Sequence, residues 1–335
     1  MRLARLKSQG RGFYHCISRV VDGQFIFGTT DERMIASEKF LSLMRRLSAF
    51  SGVNVLTFSV MSNHFHLLCE VPEPRELTLE EVLARIEAGY GLQRVRELRT
   101  KLAEHGGEPE YWKRLLASYC KRMNDVSCFI KELKGRFAQW YNRRKHRYGA
   151  LWAERLKSVL LEDGPALAAV AAYIDLNPVR AALCDDPKEY RYCGYTEALG
   201  QGRGVALEGI RTILGFGLNI SRKQLLREYR KHLLDRGALG CGTDGAVVAG
   251  DFQTRKAREV SNGQLSEPSL LAHLRCRIRY FSDGVILGSR NFVEVHYQRL
   301  RDTVGYRRRT GPTALKDLGP IGLWAFRGLR VRKFG

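Results

Sequence analysis

The stretch Val53-Asn-Val-Leu-Thr-Phe-Ser-Val-Met61 is followed by Ser62-Asn63 and then by His64-Phe-His-Leu-Leu-Cys-Glu-Val71. Both runs are rich in β-branched and aromatic residues, and Ser-Asn is turn chemistry, so the stretch predicts two strands joined by a tight turn. Upstream, Phe13-Tyr-His-Cys-Ile-Ser-Arg-Val20 has the same character and ends at Asp22-Gly23, a turn signal. Between these strands, Thr30-Asp-Glu32 offers a helix start. Ile35, Phe40, Leu43, Met44, Leu47 and Phe50 then recur at helical spacing up to Ser51-Gly52, where glycine supplies the stop. The order to this point is β-α-β-β.

Beyond Pro72-Glu-Pro74, Thr78-Leu-Glu-Glu81 has the form of a capping box, with Leu79, Val82, Leu83 and Ile86 following at helical spacing. After Gly89-Tyr-Gly91 a second charged pattern carries Leu92, Val95, Leu98 and Leu102 as far as Gly106-Gly107, so residues 72 to 127 read as an inserted helical pair or lid. From Cys128 to His146 an apolar stripe of Phe129, Ile130, Leu133, Phe137, Trp140 and Tyr141 opposes Lys131, Lys134, Arg136, Arg143, Arg144 and Lys145. Tyr148-Gly149 breaks that helix, and Leu151 to Leu161 reads as a strand with Arg155 and Lys157 on one face. Asp163-Gly-Pro165 opens a last helix to about Leu176, with proline at its first position and Asn177-Pro178 closing it. The order β-α-β-β-α-β-α is that of an α+β, ferredoxin-like sandwich with an antiparallel sheet and one added helix. Past residue 200 the chain turns Gly-rich, with a helical pattern from Ser221 to Leu234, a second Gly-rich stretch from Gly237 to Gly250 and a basic run from Arg327 to Lys333. Residues 1–200 therefore read as a catalytic or binding core, and 201–335 as an accessory region added to it.

The 335 residues carry 56 Lys and Arg against 35 Asp and Glu, a formal charge of +21. Such an excess points to a polyanion, phosphate backbones being the commonest, rather than to small neutral substrates. The eight cysteines show no Cys-x-x-Cys pair and no framework spacing, so they read as buried thiols in a reducing cytoplasm. No secretory signal and no run of about 18 apolar residues is present, which argues against export and membrane spans. No Gly-x-x-x-x-Gly-Lys-Ser/Thr pattern suggests nucleotide hydrolysis.

On a strand, His64 and His66 project from one face and Phe65 from the other, which places two imidazoles close enough to share a divalent ion. On the last helix Tyr173 and Asn177 stand four apart, on one face, while Leu167, Val170 and Ile174 can face the sheet. Taken singly, each has a plain reading: polar strand positions, a core aromatic, a residue that ends a helix before proline. Taken together they suit attack by a phenol on a phosphodiester, with a cation held by two His and one amide or carboxylate beside the phosphate and a basic groove for a single strand. His15 reads best as a hydrogen-bonded structural histidine near the site, and Tyr141 is a rival nucleophile on a basic helix.

His64-Phe65-His66 within Val60-Met-Ser-Asn-His-Phe-His-Leu-Leu68, together with Tyr173-Ile-Asp-Leu-Asn-Pro-Val-Arg180, resembles the single-tyrosine transposases, specifically the REP-associated branch. His15-Cys-Ile-Ser-Arg19, Trp140-Tyr-Asn-Arg-Arg144, Leu151-Trp-Ala-Glu-Arg155 and Tyr190 to Tyr195 are similar too, so the resemblance covers about residues 10 to 200. It implies a nuclease that cuts and rejoins single-stranded DNA near palindromic hairpin repeats through a 5′-phosphotyrosine. In that light Tyr173 is the nucleophile and His64, His66 and Asn177 hold Mg²⁺ or Mn²⁺. Arg143, Arg144, Arg155 and Lys157 are the candidate DNA contacts, the setting is the cytoplasm and nucleoid, and the resemblance leaves room for a homodimer. Two rivals remain: a repeat-binding protein that no longer cuts, and a nicking enzyme of the replication or transfer-initiator kind. The intact constellation argues against the first, and the absence of a second tyrosine within one turn of Tyr173 against the second.

Overall fold

The computed structural model describes residues 6–106, 108–153, 156–200, 204–237, 279–304, 311–315 and 322–327. Its fold is α+β, built on one seven-stranded sheet of order β2-β3-β1-β4-β5-β7-β6. The first four strands are β1 (Gly12–Arg19), β2 (Asn54–Met61), β3 (His64–Val71) and β4 (Lys157–Leu161), and all their pairings are antiparallel. That order is the ferredoxin-like arrangement the sequence predicts.

Helices α1 (Asp31–Ser51) and α5 (Val126–Arg144) cover one side of these strands. Phe40 of α1 packs at 4.9 Å on Phe65 of β3 and at 5.4 Å on Phe137 of α5, so the predicted apolar stripes meet one dry face of the sheet. Gly52, at φ 71°, ends α1 in the left-handed conformation that glycine adopts without strain. The segment 72–127 holds three helices, not a pair: α2 (Leu79–Tyr90), α3 (Leu92–Glu104) and α4 (Pro109–Cys120). The Thr78/Glu81 capping box forms as predicted, whereas α4 announces itself only through Pro109 at its first position. This insertion packs through Phe50 of α1, Tyr90 and Tyr119, with the Arg122 guanidinium over all three rings.

Helix α6 (Pro165–Asp175) lies on the opposite face of the sheet. Asn177-Pro178 does not close it outright, as a further turn, α7 (Asn177–Arg180), follows Leu176. Proline lacks the N–H that would continue the ladder, so the axis breaks without the chain leaving helical geometry. The predicted strand from Leu151 is also shorter than expected. Leu151 accepts a hydrogen bond from the Val21 backbone, Trp152 makes a single antiparallel bridge to Val20 while its indole donates to the Lys134 carbonyl and packs on Phe65, and the described strand begins at Lys157.

Helix α8 (Gly194–Leu199) ends just before residue 200, and α9 (Val205–Leu214) and α10 (Arg222–Gly237) follow it. Further on are α11 (Arg279–Asp283), β5 (Gly284–Gly288), α12 (Arg290–Val304), β6 (Thr313–Ala314) and β7 (Trp324–Arg327). Strand β5 pairs parallel to β4, so this region extends the core sheet, a continuity that sequence reasoning missed. Helix α9 crosses β2 so closely at Gly209 that a methyl group there would collide with the Leu56 carbonyl. The second Gly-rich stretch, apart from Gly237 at the end of α10, and the basic run beyond Arg327 lie outside the described residues. Among the described residues no disulfide forms and no helix is long and apolar enough to cross a membrane.

Candidate active site

The β2–β3 turn is fixed before it delivers any chemistry. Ser62 accepts from the Ile26 and Phe27 amides, Asn63 accepts from the Val20 amide through its carbonyl, and the Asn63 side-chain NH₂ donates to Gly23. Strand alternation then sends Phe65 into the dry core and His64 and His66 to the α6 face, with ring centres 5.0 Å apart. Register carries this face across the sheet: Arg19 lies opposite His64, and Ile17 lies between His66 and Lys157.

Tyr173, on α6, is half-buried and meets the histidines edge-on, its ring 5.8 Å from His66 and 5.9 Å from His15. The Arg180 guanidinium lies 3.9 Å above the Tyr173 ring and donates both to the Tyr173 carbonyl (3.0 Å) and to Asn177 Oδ1 (2.5 Å). Asn177 is buried, and its Nδ2 has no hydrogen-bond partner among the described residues. The orientation of α6 is set from the far side. Asp175, fully buried, accepts from the Thr57 hydroxyl (2.7 Å), the Tyr229 hydroxyl of α10 (2.5 Å) and the Tyr195 amide (3.3 Å). Burial pushes the Asp175 carboxyl up to about 6.

Burial also draws His15 and His64 down to about 4, with the Arg180 cation adding to the effect at His15 and Arg19 at His64. His66 falls well below its usual value, through burial first and then through its neighbours His15 and His64 and the two arginines. All three imidazoles are therefore neutral near pH 7, and their partners decide which nitrogen carries the proton. A carbonyl can only accept, so His15 Nδ1–H donates to Phe281 O (2.8 Å) and leaves Nε2 as an acceptor. That acceptor takes the proton of His66 Nδ1 (2.9 Å), so His66 presents its Nε2 lone pair. Asn63 Oδ1, oriented by the bond to Gly23, accepts from His64 Nδ1–H (2.7 Å), and His64 presents Nε2 as well.

These donors fit a divalent cation. Two neutral Nε2 lone pairs on one face are first-row metal ligands, and the Asn177 amide oxygen keeps a second lone pair beside the one that Arg180 uses. Among the described residues no group of three or more His, Cys, Asp or Glu is placed to hold a metal. A cation here would therefore face neutral protein ligands, with Arg19 and Arg180 close by.

The structure thus brings together His64, His66 and Tyr173, with Asn177 tied to Arg180 one turn further on. Lys157 shares their face of the sheet. Arg143 and Arg144 are exposed on the last turn of α5, a helix of the dry side, and the Arg144 guanidinium lies 5.9 Å from the Trp140 ring. Arg155 lies outside the described residues. Tyr141 stacks on Phe137 at 6.0 Å, on that same dry side and away from the histidines. The participants that sequence reasoning missed include Arg180, although it sits in the quoted Tyr173 motif; Phe281, whose contribution is a backbone carbonyl; and Asp175 with Tyr229, which brace α6.

No protein-family model matches the chain, and neither does any curated protein. Among solved structures, the chain is similar to a REP-associated tyrosine transposase bound to a REP hairpin. Identity there is 10% and the TM-score 0.39, over 60% of this chain and 87% of that one.

Proposed function

We propose that this protein is a metal-dependent tyrosine transposase or endonuclease that cleaves and rejoins single-stranded DNA near palindromic hairpins through a 5′-phosphotyrosine. The observation that carries this reading is the meeting of Tyr173 with His66, whose ring lies 5.0 Å from that of His64, both imidazoles being neutral with their Nε2 lone pairs on this face of the sheet. A dry core needs neither that tautomer pattern nor a guanidinium stacked on the tyrosine.

In the reaction, the Tyr173 phenol gives up its proton to solvent and its oxygen attacks the phosphorus. The bond from phosphorus to the 3′ oxygen breaks, that oxygen leaves as a hydroxyl after taking a proton, and the 5′ phosphate stays on Tyr173. Phosphodiester bond energy is kept in the adduct, so attack by another 3′-hydroxyl rejoins the strand. His64, His66 and Asn177 would hold Mg²⁺ or Mn²⁺, which polarises the scissile phosphate when bound. Arg180 sets a permanent cation beside the nucleophile, where the phosphate charge collects. The +21 charge of the chain draws nucleic-acid strands towards the protein.

The test is incubation with Mn²⁺ and a pool of single-stranded hairpin oligonucleotides, followed by a denaturing gel. A covalent adduct that disappears in Tyr173→Phe and persists in Tyr141→Phe is expected. An adduct that survives Tyr173→Phe overturns the assignment. Hairpin binding without any adduct favours the binding-only rival.

A further inference from the structure

We propose that His15 is a positioning residue of the metal site and that the C-terminal region completes that site, through a buried relay from the Phe281 carbonyl to His15 to His66. The inference rests on the metal reading above and extends it to residues with no direct contact with the cation.

The relay is built from three elements far apart in sequence. Helix α11 is five residues long, and the last carbonyls of any helix have no partner within it. The Phe281 carbonyl is one of these, and it is spent on His15 Nδ1 at 2.8 Å. His15 is fully buried on β1, and its ring stacks at 5.1 Å and 24° on that of His66, with the bond from Nε2 to Nδ1 at 2.9 Å. Each nitrogen along this chain has one role, because the carbonyl end can only accept. Reversing the His66 tautomer would set two acceptors against each other in a dry site and turn an N–H towards the cation. The Phe281 ring also packs edge-on against Tyr173 at 5.4 Å, so one residue of α11 touches the nucleophile and orients the ligand. Partners that orient a metal-bound histidine in this way change metal affinity about 10- to 100-fold when removed.

The experiment uses the full chain and Mn²⁺ alone, with free Mn²⁺ followed by electron paramagnetic resonance. The ring nitrogens of ¹⁵N-histidine-labelled protein are read by NMR without metal. His15→Leu is expected to weaken Mn²⁺ binding about 10- to 100-fold and to shift the His66 tautomer away from its Nε2 lone-pair form. His15→Gln should restore most of both, since its amide can accept from His66 and donate to Phe281. A His15→Leu protein with unchanged affinity and tautomer overturns the proposal, as does a His15→Gln protein that falls as far as the leucine variant. Should the leucine variant fail to fold, His15→Asn, polar but too short to span both partners, takes its place with the same two outcomes. If wild type and His66→Ala bind Mn²⁺ equally, it is the metal reading that fails. The tautomer spectra then still decide the relay.

Discussion

The two faces of the four-stranded core are made by alternate residues of the same strands, yet they answer to opposite physical demands. On the α1/α5 side, Phe65, Phe40 and Phe137 pack ring against ring with no exposed surface. On the α6 side, one residue either way along β3, His64 is partly buried and His66 buried, both polar, and the Nδ1 of each is governed by a specific partner. The first face gains stability from burial. The second gives some of it up, because burying imidazoles and a carboxylate is unfavourable unless their hydrogen bonds are met. Stability and chemistry should therefore separate by strand parity.

The sharpest break of that comparison is at adjacent residues. His64→Ala should lower metal-dependent strand cleavage by roughly 100-fold or more, since one ligand of a small open site is removed. Its unfolding free energy should stay within about 1 kcal/mol of wild type, because the side chain is only partly buried. Phe65→Ala should do the reverse: it empties a fully buried ring site and should destabilise by about 3 to 5 kcal/mol. At temperatures where the variant remains folded, its cleavage should stay near normal. Urea unfolding and single-turnover cleavage on both variants check the pair. A Phe65→Ala protein that is stable but inactive would show that the two faces are not independent.

The parity itself was legible in the sequence. Alternation around Phe65 and the helical stripes of Phe40 to Phe50 and Phe129 to Phe137 are local patterns, and local patterns predict local elements. The His-Phe-His run and the Tyr173 helix could be paired as one site because both carry chemistry in their residue types. What orients them could not be read in this way. Phe281 acts through a carbonyl, which every residue has, and it meets His15 across 266 positions of chain. Asp175 looks like one more polar residue on a helix until Thr57 and Tyr229 close around it. The boundary errors have the same origin: Trp152 leaves the strand pattern because Phe65 and Lys134 hold it, contacts made only in three dimensions.

Asp175 sharpens the comparison through pH. Burial raises its folded-state value to about 6, against an ordinary value near 3.8. Between those limits the folded protein holds a proton that the unfolded chain has released, so the contribution of this group to stability falls as pH rises from about 4 to 6. The full span corresponds to on the order of 3 kcal/mol. Asp175→Asn keeps the shape and removes the titration. Relative to wild type it should therefore be more stable at pH 7 than at pH 4, with the histidines common to both proteins cancelling. Urea unfolding of the two proteins at those pH values decides it, and a difference that does not vary with pH would mean that Asp175 is not held as a dehydrated carboxyl.

The smallest expected effect tests whether the dry side contributes to substrate at all. Arg143 and Arg144 close α5, where cations also favour the helix dipole by about 0.3 to 1 kcal/mol, so a purely structural role is a real competitor. The following turn runs to Leu151, whose carbonyl takes the Val21 amide just beyond Arg19. A strand leaving the His64 end of the sheet would therefore meet this basic turn, where Tyr148 is 95% exposed. If DNA follows that route, replacing both arginines by alanine should weaken single-strand binding severalfold. It should also reduce the slope of log affinity against log salt by about 0.7 for each phosphate that the protein no longer neutralises. Cleavage at saturating DNA should not change, since neither side chain reaches Tyr173's face. If the arginines serve only the helix end, the salt slope stays as in wild type and only the melting temperature drops slightly. A titration across salt concentrations separates the two outcomes, and an unchanged slope would confine substrate contacts to the α6 side.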